Sequence, residues 1–411
     1  VPIFDAAVPE LASRWYRHLP LSTFPPLFPD DPDVAPYFFD WIRHPTYDAY
    51  WRRWSIAPRW GDVTVPALNF DGWYDVFDNG AIRNFVGMRL FGGSEAARTG
   101  QRLVIGPWIH LPWTRTVGEL DFGPEADSPI DRLQVRFFDY WLKGIDDGWS
   151  GEAPVQVFVM GANTWRMADD WPIPGTIWRD YYLRSGGSAN TAGGDGWLAT
   201  ERPGVGPKHP KLRGSKAVEA PHDSYRYDPA DPVPSRGGHS CCTPDVAPIG
   251  PYDQREIERR HDVLVYTTPP LEEPTEVTGP ITVTLYASST ATDTDFTAKL
   301  VDVYPDGRAI NLNDGIVRAS ARESTTDPSP IEPGRIYRYT IEVWPTSNVF
   351  AAGHRIRLEI SSSNFPAYDR NPNTGHRFGQ DATLVPADQV VYHDPAHPSR
   401  VTLPVMPVPV R

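Results

Sequence analysis

The spacing of apolar residues changes near residue 172, and this change constrains the fold more than any other feature of the chain. Before it, short apolar runs alternate with helix-spaced stripes. Val65-Pro-Ala-Leu-Asn-Phe70 reads as a buried strand and Asp71-Gly-Trp-Tyr-Asp75 as the turn that follows. Asn79 to Leu90 places Ile82, Phe85, Val86 and Leu90 on one helical face. Gly92 to Gly100 reads as a polar loop, and Arg102-Leu-Val-Ile-Gly106 as a second buried strand ending in Pro107-Trp-Ile-His110. Ser128-Pro129 opens a helix carrying Ile130, Leu133, Phe137, Phe138, Trp141 and Leu142, and Lys143-Gly144 closes it. Strand–helix–strand–helix order predicts parallel strands with crossover helices.

After residue 172 the period becomes two. Ile281–Tyr286, Tyr337–Val343 and Arg355–Ile360 alternate, and Val301–Tyr304 and Arg308–Ile310 flank the turn Pro305-Asp-Gly307. Alternation punctuated by Pro, Gly, Asn and Asp predicts an antiparallel sandwich or jelly roll. The fold class is therefore α/β followed by all-β. Residues 1–60 are Pro-rich and aromatic. There Thr46–Trp54 predicts a helix that packs Tyr47, Tyr50, Trp51 and Trp54 into a core, with a lid helix whose stripe lies over a pocket as the alternative.

The charge balance limits the partners. With 39 Lys+Arg against 52 Asp+Glu the net charge is -13. No basic patch for a nucleic-acid backbone or an anionic membrane is visible. No apolar run has the length of a membrane span. The 45 Pro and 33 Gly fit a loop-rich chain, while 40% apolar residues and 15 Trp exclude disorder. The two cysteines, Cys241 and Cys242, are adjacent, which excludes a disulfide framework and a Cys-based zinc site. Two free thiols fit a reducing compartment, and the cytoplasm is the favoured location.

Asp75 and His110 each follow a parallel strand, where open α/β sheets gather functional groups. A carboxylate followed by a histidine after the next strand is the order of α/β-hydrolases, in which the nucleophile precedes both. Histidine exchanges protons near neutral pH, and a carboxylate fixes its tautomer. No GxSxG elbow is present. The nearest stretch, Gly238-His-Ser240-Cys-Cys242, lacks the second glycine and follows the other two groups, so Ser240 is not read as the nucleophile. Asp293, Asp295, Asp302 and Asp306 do not match a calcium loop and read as solvent-facing strand positions. His393 and His397 read as a surface loop, because Pro395 opposes a helix between them.

Gly72-Trp-Tyr-Asp75 with Phe77, and Gly106-Pro-Trp-Ile-His110, resemble the acid and base motifs of the cocaine esterase family. That family includes X-Pro dipeptidyl-peptidase-like hydrolases, glutaryl-cephalosporin acylases and α-amino acid ester hydrolases. The likeness continues through Val157-Phe-Val-Met-Gly161, Tyr227–Ser235, Asp293–Arg308 and Ser361–Arg370. It implies the second half of an α/β-hydrolase domain with a lid remnant, followed by a jelly-roll β-sandwich. On that map 1–60 is the end of the helical lid, 61–172 the hydrolase half and 173–411 the jelly roll.

The resemblance implies a Ser-His-Asp hydrolase of esters or amides, with Asp75 as acid and His110 as base. Phe77, Trp108, Cys241 and Cys242 are its expected pocket residues. The two cysteines stand where cocaine esterase itself carries larger apolar residues. The motif that holds the family serine is absent, so the expected partner, besides a small-molecule substrate, is a complementing N-terminal segment or chain that carries it. No metal or cofactor is implied, and an oligomer is compatible with the sequence. The other expectations are a non-catalytic jelly-roll binding module, or a truncated fragment inactive alone.

Overall fold

The computed structural model describes residues 14–24, 36–205, 220–239 and 245–407. After a 3₁₀ turn at Leu21–Thr23 come helices α1 (Pro36–Arg43) and α2 (Ala49–Trp54). The Asp48 side chain accepts from the Tyr50 N–H at 2.8 Å and caps α2, so the helix starts three residues later than its stripe predicts. The expected burial of that stripe is overturned: no residue of α2 is buried, and Trp54 is 64% exposed. A helix this short has no face long enough to dock on a sheet. Its rings pack locally instead, Tyr50 stacking on His44 at 4.4 Å and Trp51 tilting against Trp41.

The α/β part has four strands, β1 (Leu68–Gly72), β2 (Arg102–Gly106), β3 (Val155–Val159) and β4 (Thr164–Ala168), in that spatial order. The first three are parallel and β4 is antiparallel to β3. Helix α3 (Asp78–Phe91) joins β1 to β2. The predicted polar loop before β2 contains a short helix, α4 (Glu95–Thr99), because Ser94 Oγ accepts from the Ala97 N–H at 3.0 Å. Helix α5 (Ile130–Lys143) joins β2 to β3 and buries Ile130, Leu133 and Phe137. Phe138 and Leu142, expected on the same buried stripe, are 52% and 77% exposed. β1 lies at the sheet edge.

A two-residue ribbon pairs Thr116–Val117 with Leu120–Asp121, and the strands of the second, larger sheet are β5 (Ile177–Arg184), β6 (Trp197–Ala199), β7 (His222–Tyr227), β8 (Leu264–Thr267), β9 (Thr275–Ser289), β10 (Asp295–Val303), β11 (Ala309–Arg318), β12 (Tyr337–Phe350), β13 (Arg355–Ser361), β14 (Ala387–Tyr392) and β15 (Arg400–Val405). Hydrogen bonding links them as β11-β10-β13-β8-β6-β5-β15-β9-β14-β7, with β12 added to β9. All pairs except β8–β6 are antiparallel. The alternation seen in the sequence places Val283, Leu285, Ile341, Val343, Leu358 and Ile360 in the core. The hairpin at Pro305–Gly307 joins β10 to β11, closed by the Tyr304 N–H bond to the Arg308 carbonyl at 2.8 Å.

Two expectations about polar residues in this part are reversed. Asp295 and Asp302 are 1% and 3% exposed, not solvent-facing, because Arg318 and His354 pair with them. His393, expected on the surface, is 2% exposed and bonds Asp223 at 2.9 Å. In both cases a distant partner, invisible in local spacing, offsets the cost of burying a polar group.

One continuous apolar core runs through both parts, from Trp73 and Phe85 to Val343 and Leu403. Backbone bonds join β3 to β12: the Met160 N–H donates to the Ser347 carbonyl and the Val349 N–H to the Met160 carbonyl. Arg166 forks onto the fully buried carboxylate of Glu276 at 2.7 and 2.8 Å. These contacts fix the ends of β1 and β2 relative to the β-rich sheet.

Candidate active site

The site grows out of two strand ends in register, Gly72 at the end of β1 opposite Gly106 at the end of β2. Beyond them the pairing continues, with the Trp73 N–H on the Gly106 carbonyl at 2.9 Å and the Tyr74 N–H on the Trp108 carbonyl at 3.0 Å. The Asp75 N–H then turns back to the Gly72 carbonyl at 2.8 Å. Both glycines are required by close approach. A Cβ on Gly72 would lie 2.3 Å from the Trp108 carbonyl oxygen, and one on Gly106 would lie 2.4 Å from the Trp108 ring.

Trp73 and Tyr74 anchor the turn. Both are fully buried, with the Trp73 indole N–H on the Phe158 carbonyl at 2.7 Å and the Tyr74 hydroxyl on the Asn311 carbonyl at 3.2 Å. Asp75, 3% exposed, is therefore held from both sides of the molecule. Its Oδ1 accepts from the Phe77 N–H at 2.9 Å, which leaves Oδ2 for His110 Nδ1 at 3.0 Å. The His110 side chain is 37% exposed. Phe77, 59% exposed, sets its ring edge-on to the imidazole at 5.1 Å.

The structure does not bring Trp108 to this group. It is fully buried, stacks on Phe70 at 5.0 Å and donates its indole N–H to the Ala126 carbonyl at 2.7 Å. Aromatic neighbours and a carbonyl acceptor hold it as a packing residue under the strand ends. Cys241, Cys242 and Ser240 lie outside the described residues.

Three carboxyl groups crowd the turn. Asp71 is 7% exposed, and burial, followed by the charge of Asp75, pushes its carboxyl up to about 8. Asp78 is fully buried at the start of α3, and burial, then the charges of Asp71 and Asp75, hold it well above the usual carboxylate range. Neither Asp78 oxygen makes a hydrogen bond of ordinary geometry to a described residue. Burial thus favours the protonated form of both Asp71 and Asp78.

Other polar clusters are built differently. In the β-rich part His393 Nε2 faces both Asp223 Oδ2 at 2.9 Å and Ser185 Oγ at 3.1 Å. One nitrogen serves both neighbours and all three side chains are buried, so this trio cannot pass a proton from serine to substrate. A cavity of about 680 Å³ lies between Tyr16, Leu21, Tyr47 and the segment Phe365–Asp381, away from Asp75 and His110. Arg318 in its wall pairs with Asp295 and Asp369, and Arg370 donates to the Pro229 and Arg17 carbonyls. Among the described residues no three His, Cys, Asp or Glu side chains converge to hold a metal ion. No described helix is long and apolar enough to cross a membrane.

Two residues of the neighbourhood have no local sequence signature. His239 and Asp314, from the β-rich part, reach the back of the turn, with His239 Nε2 3.1 Å from the Trp73 carbonyl oxygen. The one hint is that His239 follows Gly237-Gly238.

Comparison with known proteins bears on this geometry. Residues 14–112 match the X-Pro dipeptidyl-peptidase (S15 family) model, and residues 147–402 match the X-Pro dipeptidyl-peptidase C-terminal non-catalytic domain. The chain is 42% identical over 383 residues to cocaine esterase of Rhodococcus sp. (strain MB1 Bresler), covering 91% of this chain and 62% of that protein. A putative serine esterase of Mycobacterium bovis is 29% identical over 380 residues, covering 85% and 52%. Among solved structures, an α-amino acid ester hydrolase superposes with a TM-score of 0.77 at 26% identity, covering 95% of this chain and 64% of that one. An aminopeptidase from a marine sediment archaeon, Thaumarchaeota archaeon, gives 0.76 at 27%, covering 91% and 60%. The chain thus spans less than two thirds of each of these relatives. With residues 147–402, more than half of the chain, matched by its model, the chain belongs to the family of the X-Pro dipeptidyl-peptidase C-terminal non-catalytic domain, and it is similar to cocaine esterase along most of its length.

Proposed function

We propose that this chain supplies the acid and the base of a serine hydrolase that transfers the acyl group of a small-molecule ester or amide to water. The observation that carries the reading is the bond from His110 Nδ1 to Asp75 Oδ2 at 3.0 Å, with the imidazole partly exposed. The nucleophilic serine is assigned to a segment beyond these 411 residues. Two observations support that assignment: no described serine hydroxyl bonds His110, and the chain spans 62% of cocaine esterase.

In this mechanism the serine Oγ attacks the substrate carbonyl carbon while His110 Nε2 takes the hydroxyl proton. The tetrahedral intermediate collapses as Nε2 returns that proton to the leaving oxygen or nitrogen. Water then attacks the acyl-serine, Nε2 takes its proton and gives it back to serine Oγ, and the free acid departs. Asp75 accepts the Nδ1–H throughout, fixing the tautomer and stabilising the imidazolium. Phe77, edge-on to the imidazole, is assigned to the acyl pocket.

The same reading divides the chain into a lid remainder (1–60), a hydrolase half (61–172) and a jelly-roll sandwich (173–411). The pairing of β3 with β2 and of β4 with β3 supports a boundary after β4, although the C-terminal family match begins at residue 147. Hydrolysis of a p-nitrophenyl ester by the enzyme that contains this chain tests the assignment. His110→Ala should lower kcat by ~10⁴-fold or more. Turnover within a few-fold of the parent overturns it.

A further inference from the structure

His239 carries an accounting problem whose solution implies a role. Its side chain is 1% exposed, its Nε2 lies 3.1 Å from the Trp73 carbonyl oxygen, and its Nδ1 lies 3.1 Å from Asp314 Oδ1. A carbonyl oxygen and a carboxylate both accept. A neutral imidazole has one N–H, so in either tautomer it leaves one of the two contacts without a proton. Both contacts are satisfied only if the pair holds an additional proton between Nδ1 and Oδ1. Asp314 is placed to keep the negative member, since its Oδ2 accepts from Asn364 Nδ2 at 2.6 Å.

Among the described residues, Trp344, Lys299 and Tyr368 do not supply the pair with a competing charge. The Trp344 ring tilts against His239 at 4.5 Å. Lys299, opposite Asp314 in the β10–β11 register, directs its ammonium to Gln254 at 2.8 Å and Glu359 at 3.9 Å. Tyr368, buried near Asp314 and Asp78, is held in its neutral form chiefly by burial. A Cβ on Gly238 would lie 2.7 Å from Asp314 Oδ1, so glycine there allows the histidine to seat.

We propose that His239 is a positioning residue for the Asp75–His110 pair: as an imidazolium held by Asp314, it clamps the Trp73 carbonyl and so aims the turn that carries Asp75. The part of the chain matched by a non-catalytic family model thereby sets the geometry of the acid. The catalytic consequence rests on the function proposed above; the clamp itself can be read without turnover.

The test is NMR of the intact chain with ¹⁵N-labelled histidine, assigned through His239→Ala. Both His239 ring nitrogens should show imidazolium shifts at neutral pH, and the low-field proton of His110 Nδ1 bonded to Asp75 should be present. In Asp314→Asn the new amide can donate to a neutral Nδ1, so one His239 nitrogen should move to the shift of an unprotonated ring nitrogen. In His239→Ala the His110 low-field proton should be lost, while His239→Gln, which keeps one donor for the Trp73 carbonyl, should retain it. In the active enzyme His239→Ala should lower kcat by up to ~10²-fold with KM little changed.

A neutral His239 in the parent chain overturns the charge assignment. An unchanged His110 proton in His239→Ala overturns the clamp, and if that variant does not fold, Asp314→Asn and His239→Gln decide it. If the clamp signals behave as expected but Asp75→Asn leaves turnover intact, the clamp stands and the proposed function fails.

Discussion

His110 Nδ1 lies 3.0 Å from Asp75 Oδ2, across two strand ends whose facing glycines leave no room for a side chain. The bond is the product of the sheet register and of the turn, and each can be disturbed separately. In the enzyme that contains this chain, Asp75→Asn should keep the fold and lower kcat by ~10⁴-fold, because the amide presents a donor where the Nδ1–H needs an acceptor. Steady-state kinetics at saturating ester read this directly, and a loss below tenfold would separate Asp75 from the reaction.

The glycines give a stability test with an internal control. Gly72→Ala places a methyl 2.3 Å from a backbone oxygen and should destabilise the chain by roughly 3 kcal/mol or more. Gly80, within α3, has nothing within 4 Å of its would-be Cβ. Gly80→Ala should therefore stabilise by about 0.5–1 kcal/mol through helix propensity. Urea denaturation of the two variants should show opposite shifts in midpoint.

Asp71 links stability to pH. Its carboxyl is raised in the folded chain to about 8 from 3.8, so the folded state holds a proton that the unfolded state has released. The stabilisation is full below about pH 4 and is lost as pH rises through about 8. The slope between these limits is at most about 1.4 kcal/mol per pH unit. Asp71→Asn cannot release that proton, so its Tm should fall less steeply than the parent's between pH 5 and 8. Equal slopes would place the raised group elsewhere.

Phe77 is exposed and stands T-shaped against the imidazole. Phe77→Ala should change stability by less than about 1 kcal/mol while altering KM among esters of different acyl size. A uniform loss of kcat across such esters would instead mark the ring as a support for His110.

The strand–helix alternation was legible because β1, β2 and the helices between them each carry a complete local period, and Asp75 and His110 could be placed because each follows such a strand. The aromatic stripe of α2 misled, since spacing reports a face but not whether anything covers it. Asp295, Asp302 and His393 misled for a related reason: their partners Arg318, His354 and Asp223 lie 23, 52 and 170 residues away. Trp108 sits two residues from His110 yet packs on Phe70, a contact set by sheet register rather than by proximity in sequence. His239 and Asp314 reach the acid turn only through tertiary folding, and Gly237-Gly238 before the histidine is the one local hint of it.

The most direct test of the account is fluorophosphonate labelling of the native hydrolase that contains this chain, with the adduct mapped by peptide mass spectrometry in the parent and in His110→Ala. The account predicts one adduct, on a serine outside these 411 residues, formed in the parent and strongly slowed by the substitution. An adduct on Ser240 or any other serine of this chain, or labelling indifferent to His110, would contradict it.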